Sequence, residues 1–264
     1  MNFQRVMGKV FLVGAGPGDP ELLTCKALRI LRGANVVLHD SLVSEEILKL
    51  IPPTAQRIDV GKRRGYRLLT QQDINALLVS SAQAHEIVVR LKGGDPLLFG
   101  RAAEEIHALR EAAVEFEIVP GISAAFGAAA SARVPLTDRA WAANLLFTTY
   151  SRAPEALQLL RSTLTADTTV VVYMPGPQYA EVSDWLLQAG LSPDTPCLVV
   201  SRATRPDQTS ELSTAANLAN LSPLPAPALL IVGRTVAPEL VIPKAADWVG
   251  NSRHIEISQD TLVS

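Results

Sequence analysis

The chain has 264 residues, 48% hydrophobic and 19% charged, a composition that excludes bulk disorder and suits one large or two modest α/β domains. Its 24 basic and 26 acidic residues leave a net charge of −2, which argues against a nucleic-acid or membrane face on overall charge. No stretch reaches the roughly 20 apolar residues that span a bilayer, and Met1–Arg5 is not followed by an apolar signal core, so the cytoplasm is the expected location.

In chain order, short β-rich runs alternate with helical patterns. Strands are predicted at Val10–Val13, Val36–Leu38, Arg57–Val60, Ile87–Leu91 and Phe116–Val119, and helices at Thr24–Arg32, Ser44–Leu50, Thr70–Ala84 and Ala102–Ala113. This rhythm predicts a mostly parallel sheet with helices on its faces. Ala27, Leu28 and Leu31 form one apolar stripe, and Thr70 with Asp73 resembles a helix-capping box.

A second rhythm starts near Asn144, with strands predicted at Leu145–Thr149, Val170–Met174, Pro196–Ser201 and Ala228–Val232. Helices are predicted at Pro154–Leu164, Tyr179–Ala189 and Ser213–Leu221. The expected organisation is an N-terminal α/β domain over 1–133, a linker from Arg133 to Ala143, a C-terminal α/β domain over 144–238 and a tail over 239–264.

Three glycine-bearing turns follow predicted strands. Val13–Pro20 reads VGAGPGDP, and glycine there lets backbone approach a ligand because no Cβ intervenes. It departs from a dinucleotide fingerprint: the third glycine, Gly18, falls one place early, and Pro17 and Pro20 interrupt the helix start. Val89–Pro96 ends in Gly93-Gly94-Asp95-Pro96, where Asp95 offers an acceptor for a ribose hydroxyl or an amine. Val119–Ala124, VPGISA, opens an Ala-rich helix whose first N–H groups lack intrahelical partners. Each turn alone is equally a plain connection. Together, at three strand ends, they describe one crevice for a small polar molecule.

Asp40 and Lys62 follow neighbouring strands, where they are either a solvated pair or groups that exchange protons. Arg63, Arg64 and Arg67, with Arg101 and Arg139 elsewhere, form either an exposed charged surface or a binding set for a polyanion. The four histidines and the two cysteines, Cys25 and Cys197, show no metal-ligand spacing, so no metal site is expected. No nucleophile elbow or Walker loop is present.

Read in order, VGAGPGDPELLT, HDSLVS, VGKRRGY, LKGGDPLLFGR, VPGISAA and VPLTDR resemble the tetrapyrrole methylase family, in its branch that methylates uroporphyrinogen III. The resemblance runs from Lys9 to Val236. It implies a class III methyltransferase fold of two α/β domains with S-adenosylmethionine in the cleft between them, and a homodimer. It implies two successive methylations that yield precorrin-2 and S-adenosylhomocysteine. It places cofactor contacts at Pro17, Gly93, Gly94, Asp95, Leu98, Ser123, Ala124, Met174, Ala203 and Ala228, a proton acceptor at Asp40 and a proton donor at Lys62. Arg63, Arg64, Arg101 and Arg139 are the expected contacts to substrate carboxylates.

Several positions depart from the family pattern. Thr148-Thr149-Tyr150 replaces the usual TGH, Ala102 and Ala103 replace two glycines, Pro175 replaces the glycine after Met174, Ala203 replaces a glycine, and Asp138 replaces the histidine before Arg139. The competing readings are a sibling methylase with another substrate, a cofactor-binding relative weakened in catalysis, and a nicotinamide oxidoreductase that the misplaced Gly18 disfavours.

Overall fold

The computed structural model describes residues 7–61, 69–150 and 153–236. Lys62, Arg63 and Arg64, and the tail from residue 237, lie outside the described residues. The described residues build two five-stranded sheets with helices packed on their faces.

The first sheet holds β1 (Lys9–Gly14), β2 (Val36–His39), β3 (Gln56–Asp59), β4 (Ile87–Lys92) and β5 (Phe116–Val119) in the order β3-β2-β4-β1-β5. Every pairing in it is parallel. The inner strands β2, β4 and β1 are largely buried between helices on both faces, which explains their Val/Leu-rich runs, whereas edge strand β3 is partly exposed and polar. Helices α1 (Cys25–Arg32) and α2 (Glu45–Leu48) cover one face, packing Ala27, Leu31, Ile47 and Leu48 against Val37, Val89 and Leu91. Helices α3 (Gln71–Ala84) and α4 (Ala102–Glu111) cover the other, packing Ile74, Leu78 and Leu109 against Val10, Leu12, Leu38 and Val88.

Because α1 leaves β1 toward one face and α4 leaves β4 toward the other, the neighbours β1 and β4 form the switch point of the sheet. Ligands of open α/β sheets bind outside the carboxyl ends of strands at such a point.

Local chemistry sets the helix starts. Thr24, Ser44, Thr70 and Ser123 each cap a helix with a side-chain oxygen, and Thr70 with Asp73 completes the expected capping box. Each such cap contributes on the order of 1 kcal/mol.

The second sheet holds β6 (Asn144–Thr149), β7 (Thr168–Tyr173), β8 (Pro196–Ser201), β9 (Thr209–Thr214) and β10 (Ala228–Val232) in the order β6-β7-β10-β8-β9. It is mixed: β6 pairs parallel with β7, and the other pairings are antiparallel. Helices α6 (Ala153–Thr163) and α7 (Tyr179–Gln188) lie over one face. The other face receives α5 (Ala124–Ala132), which packs Ala125, Ala128 and Ala129 against Val171, Leu198, Val200 and Ile231. The helix that follows the first sheet's last strand thus lies on the second sheet, and small alanines permit the close approach.

One predicted element is wrong. Ser213–Leu221 is not a helix: Ser213 and Thr214 end edge strand β9, and Asn217–Asn220 makes a short 3-10 turn. Strand β9 is mostly exposed, so no apolar alternation marks it, and its pairing with β8 overrides local preference.

Candidate functional site

The carboxyl ends of β1, β4 and β5 meet through bare backbone. Gly16 and Gly94 exchange hydrogen bonds, Gly16 N to Gly94 O at 3.1 Å and Gly94 N to Gly16 O at 2.8 Å. A Cβ on Gly14 would lie 2.5 Å from Gly121 N, and one on Gly121 would lie 2.4 Å from Gly94 O. No side chain fits at Gly14 or Gly121, so the turns interlock there only because both are glycine. Gly94 also holds φ +67, in the region that favours glycine.

Asp95 ties the arrangement together. Its Oδ1 accepts from Leu97 N at 2.9 Å and its Oδ2 accepts from Gly121 N at 3.1 Å. Each oxygen keeps a further lone pair for a ligand donor. Leu98 follows, its N–H donating to Asp95 O, and the Phe99 ring stands 5.0 Å from that of Tyr173.

The second sheet closes on this edge. The Tyr173 hydroxyl, at the end of β7, makes a short hydrogen bond with Ser123 and accepts from Ala125 N at 3.3 Å. Burial pushes the Tyr173 phenol above its ordinary range, so it remains protonated. Met174 follows with φ +52 and an exposed side chain. From the loop after β8, Thr204 Oγ1 accepts from Asp19 N at 3.2 Å, and Arg205 donates to the Leu42 carbonyl while its chain lies against Gly18. Pro17 lies against α5, where a Cβ on Gly127 would come within 2.6 Å of its ring.

Backbone strain collects here. Phe99, Arg101, Met174, Arg202 and Thr204 all have positive φ on loops after β4, β7 and β8. For the β-branched Thr204 this conformation is unfavourable, and its bonds to Asp19 and Gln208 hold it.

The strand-end cluster therefore includes Pro17, Gly93, Gly94, Asp95, Leu98, Ser123, Ala124 and Met174. Ala203 is buried between the left-handed Arg202 and Thr204, so the strain falls on its neighbours. Ala228 begins β10 opposite Ser201. The changed Tyr150 turns away from the glycine turns: its ring meets Trp185 of α7 edge-on at 5.6 Å and its hydroxyl donates to Glu181.

Asp40 directly follows β2 and is not a solvated surface acid. Its Oδ1 accepts from Arg90 Nη2 at 2.5 Å, and its backbone N–H donates to Leu91 O at 3.2 Å. Arg90 Nε donates to Glu105 Oε1 at 2.9 Å, and Lys92 Nζ lies 3.1 and 3.0 Å from the two Glu105 oxygens. Arg90 and Lys92 are each 2% exposed and Glu105 is fully buried. Burial disfavours the Arg90 cation, but Asp40 and Glu105 outweigh it and the net shift is upward. Burial, reinforced by neighbouring Arg90, pushes Lys92 downward despite Glu105.

Sequence reading missed Arg90, Lys92 and Glu105, along with Tyr173, Thr204 and Arg205. A signal existed for the first two: they stand two apart on a strand buried on both faces, a place that demands an anionic partner.

Of the arginine set, Arg101 and Arg139 lie among the described residues. Arg101 is exposed and engaged by Glu104 through Nε at 2.7 Å and Nη2 at 2.8 Å. That contact first, against a small burial effect, raises the Arg101 pKa. Arg139 is exposed on the turn closed by Asp138 and Ala142. Among the described residues there is no cluster of groups suited to a metal ion, and no helix is long and apolar enough to cross a membrane. Cys25 and Cys197 are unpaired, and burial pushes the Cys197 thiol up to about 12.

Among known proteins, the model of the tetrapyrrole (corrin/porphyrin) methylases matches residues 9–219. The uroporphyrinogen-III C-methyltransferase of Paracoccus denitrificans is 47% identical over 236 residues, 88% of this chain and 82% of its own length. Siroheme synthase 1 of Klebsiella pneumoniae is 44% identical over 235 residues, 88% of this chain but only 50% of that longer protein. The uroporphyrin-III C-methyl transferase of Thermus thermophilus complexed with S-adenyl homocysteine superposes with a TM-score of 0.74 at 38% identity, covering 87% of this chain and 99% of that one. Similarity of this extent, on a crevice of this construction, makes the chain a member of the tetrapyrrole methylase family.

Proposed function

We propose that this chain transfers methyl groups from S-adenosylmethionine to carbon atoms of uroporphyrinogen III, twice in succession, releasing precorrin-2 and S-adenosylhomocysteine. The interlocking of Gly14, Gly94 and Gly121 at the switch point carries the reading. The chain's similarity to a uroporphyrinogen-III C-methyltransferase, and to a relative solved with S-adenyl homocysteine, supports it.

The residues present suit the donor. Asp95, with turn carbonyls that keep a further lone pair, offers hydrogen bonds to ribose and amino-acid groups, while Leu98 and Met174 offer apolar surface. When bound, S-adenosylmethionine supplies an activated methyl on a sulfonium. The chain's task is then to hold donor and pyrrole carbon in line, and orientation of this kind is worth roughly 7–11 kcal/mol of barrier. Methylation leaves the macrocycle cationic, and a proton must leave it. Asp40 is our acceptor: Oδ1 is held by Arg90, and Oδ2 meets no donor among the described residues. Lys62 is our donor on the resemblance alone. Arg63, Arg64, Arg101 and Arg139 are our candidate partners for the substrate's carboxylates, with Arg101 first exchanging its Glu104 contact.

We place the protein in the cytoplasm as a homodimer. The unpaired cysteines accord with a reducing compartment, and an apolar groove along α5, lined by Phe126, Leu136 and Leu145, offers a surface to cover. Mass spectrometry of uroporphyrinogen III incubated with the protein and S-adenosylmethionine tests the reaction. The expected product carries two added methyl groups. An unmodified tetrapyrrole, with the donor bound, would instead indicate a sibling substrate or a weakened relative.

A further inference from the structure

Arg90 lies on the face of β4 that packs against α3 and α4, beside Leu12 and Leu38 in register. Apart from Arg90, Lys92 and their partner Glu105 that face is packed with apolar side chains, and an unpaired guanidinium there would be prohibitively costly. Three of its donors are engaged in three directions: Nε to Glu105, Nη2 to Asp40 and Nη1 to Leu91 O at 3.3 Å. The guanidinium is planar, so fixing Nε fixes where Nη2 points. Glu105 fixes Nε, and it reaches from α4, a helix that makes no hydrogen bond or ion pair to Asp40 among the described residues.

Glu105 is itself fully buried, and its charge is balanced by both Arg90 and Lys92. The chain of charges Lys92–Glu105–Arg90–Asp40 alternates in sign and sums to zero, with only its Asp40 end partly open, at 26% side-chain exposure. An interior ion group that opens at one end beside the proposed site is more than a packing device.

We propose that Glu105 is a positioning residue: through the guanidinium of Arg90 it sets the orientation of the Asp40 carboxylate at the mouth of the cleft. The inference rests on the reading of Asp40 as proton acceptor. It assigns a functional burden to α4 although no α4 side chain needs to touch substrate. It also accounts for the buried lysine, since Lys92 neutralises the second charge contact of Glu105 and leaves Arg90 to Asp40.

The test is a double-mutant cycle between position 105 and Asp40. Glu105→Asp keeps the charge but shortens the reach to Arg90, while Glu105→Gln keeps the reach and drops the charge. Each is expected to lower kcat by about 10- to 100-fold, the scale of a small misplacement of a reacting group, with KM for S-adenosylmethionine and calorimetric affinity for S-adenosylhomocysteine unchanged. In an Asp40→Asn background the same substitutions should cost little further. Additive losses, or a parallel loss of S-adenosylhomocysteine affinity, overturn the proposal. So does failure of both variants to fold, which leaves Glu105 a core counter-ion only. If Asp40→Asn alone retains near-normal turnover, the reading of Asp40 fails first and is recognised separately.

Discussion

Strand β4 of the first sheet and strand β10 of the second are both buried along almost their whole length, yet they differ in kind. Strand β10 reads Ala-Leu-Leu-Ile-Val and meets apolar side chains on both faces. Strand β4 reads Ile-Val-Val-Arg-Leu-Lys and buries two cations on one face. Apolar burial contributes about 25 cal/mol per Å², whereas each buried ion costs several kcal/mol before its partners are counted. The second sheet is therefore an apolar platform on which α5 docks, its own Tyr173 hydroxyl meeting Ser123 at the start of that helix. The first sheet gives up part of its core to hold Asp40 in place.

The comparison breaks most sharply at Asp40. Asp40→Asn is expected to fold, to bind S-adenosylhomocysteine and to lose turnover by about 10²- to 10⁴-fold, the scale of a lost general base; a coupled absorbance assay reads it, and near-normal turnover would remove the contrast. Leu230→Ala, in the wholly apolar sheet, should behave in the opposite way. Leu230 is 1% exposed, and its truncation is expected to lower stability by about 2–5 kcal/mol in denaturant melts while the folded fraction keeps its kcat. The smallest effect belongs to the contact between the two regions. Tyr173→Phe removes the hydroxyl shared by Ser123 and Ala125, and should cost about 1 kcal/mol, seen as a several-fold weaker S-adenosylmethionine KM with little change in kcat. A fall in kcat without a change in KM would shift Tyr173 from docking to chemistry.

Much of this was legible in the residues. The βα rhythm of the first half, the Thr70–Asp73 cap and the three glycine turns follow from local rules, because strand ends, caps and glycine positions are governed by neighbours in sequence. Strand β9 was not legible, since an exposed edge strand carries no apolar period and acquires its shape from β8. The role proposed for Asp40 was one of two open readings until the resemblance favoured it; its partner was hidden, because Arg90 lies 50 residues away and Glu105 stands 15 beyond that.

Composition, periodicity and turn chemistry were enough to specify two α/β rhythms and glycine-opened strand ends, since each depends on residues within one or two turns of chain. Which strand ends become neighbours, that α5 crosses to the other sheet, and that a buried glutamate lies behind the catalytic candidate were decided only in the tertiary structure. Those outcomes depend on strand order and on the need of a buried cation for a nearby anion, and both operate between groups that the linear chain keeps far apart.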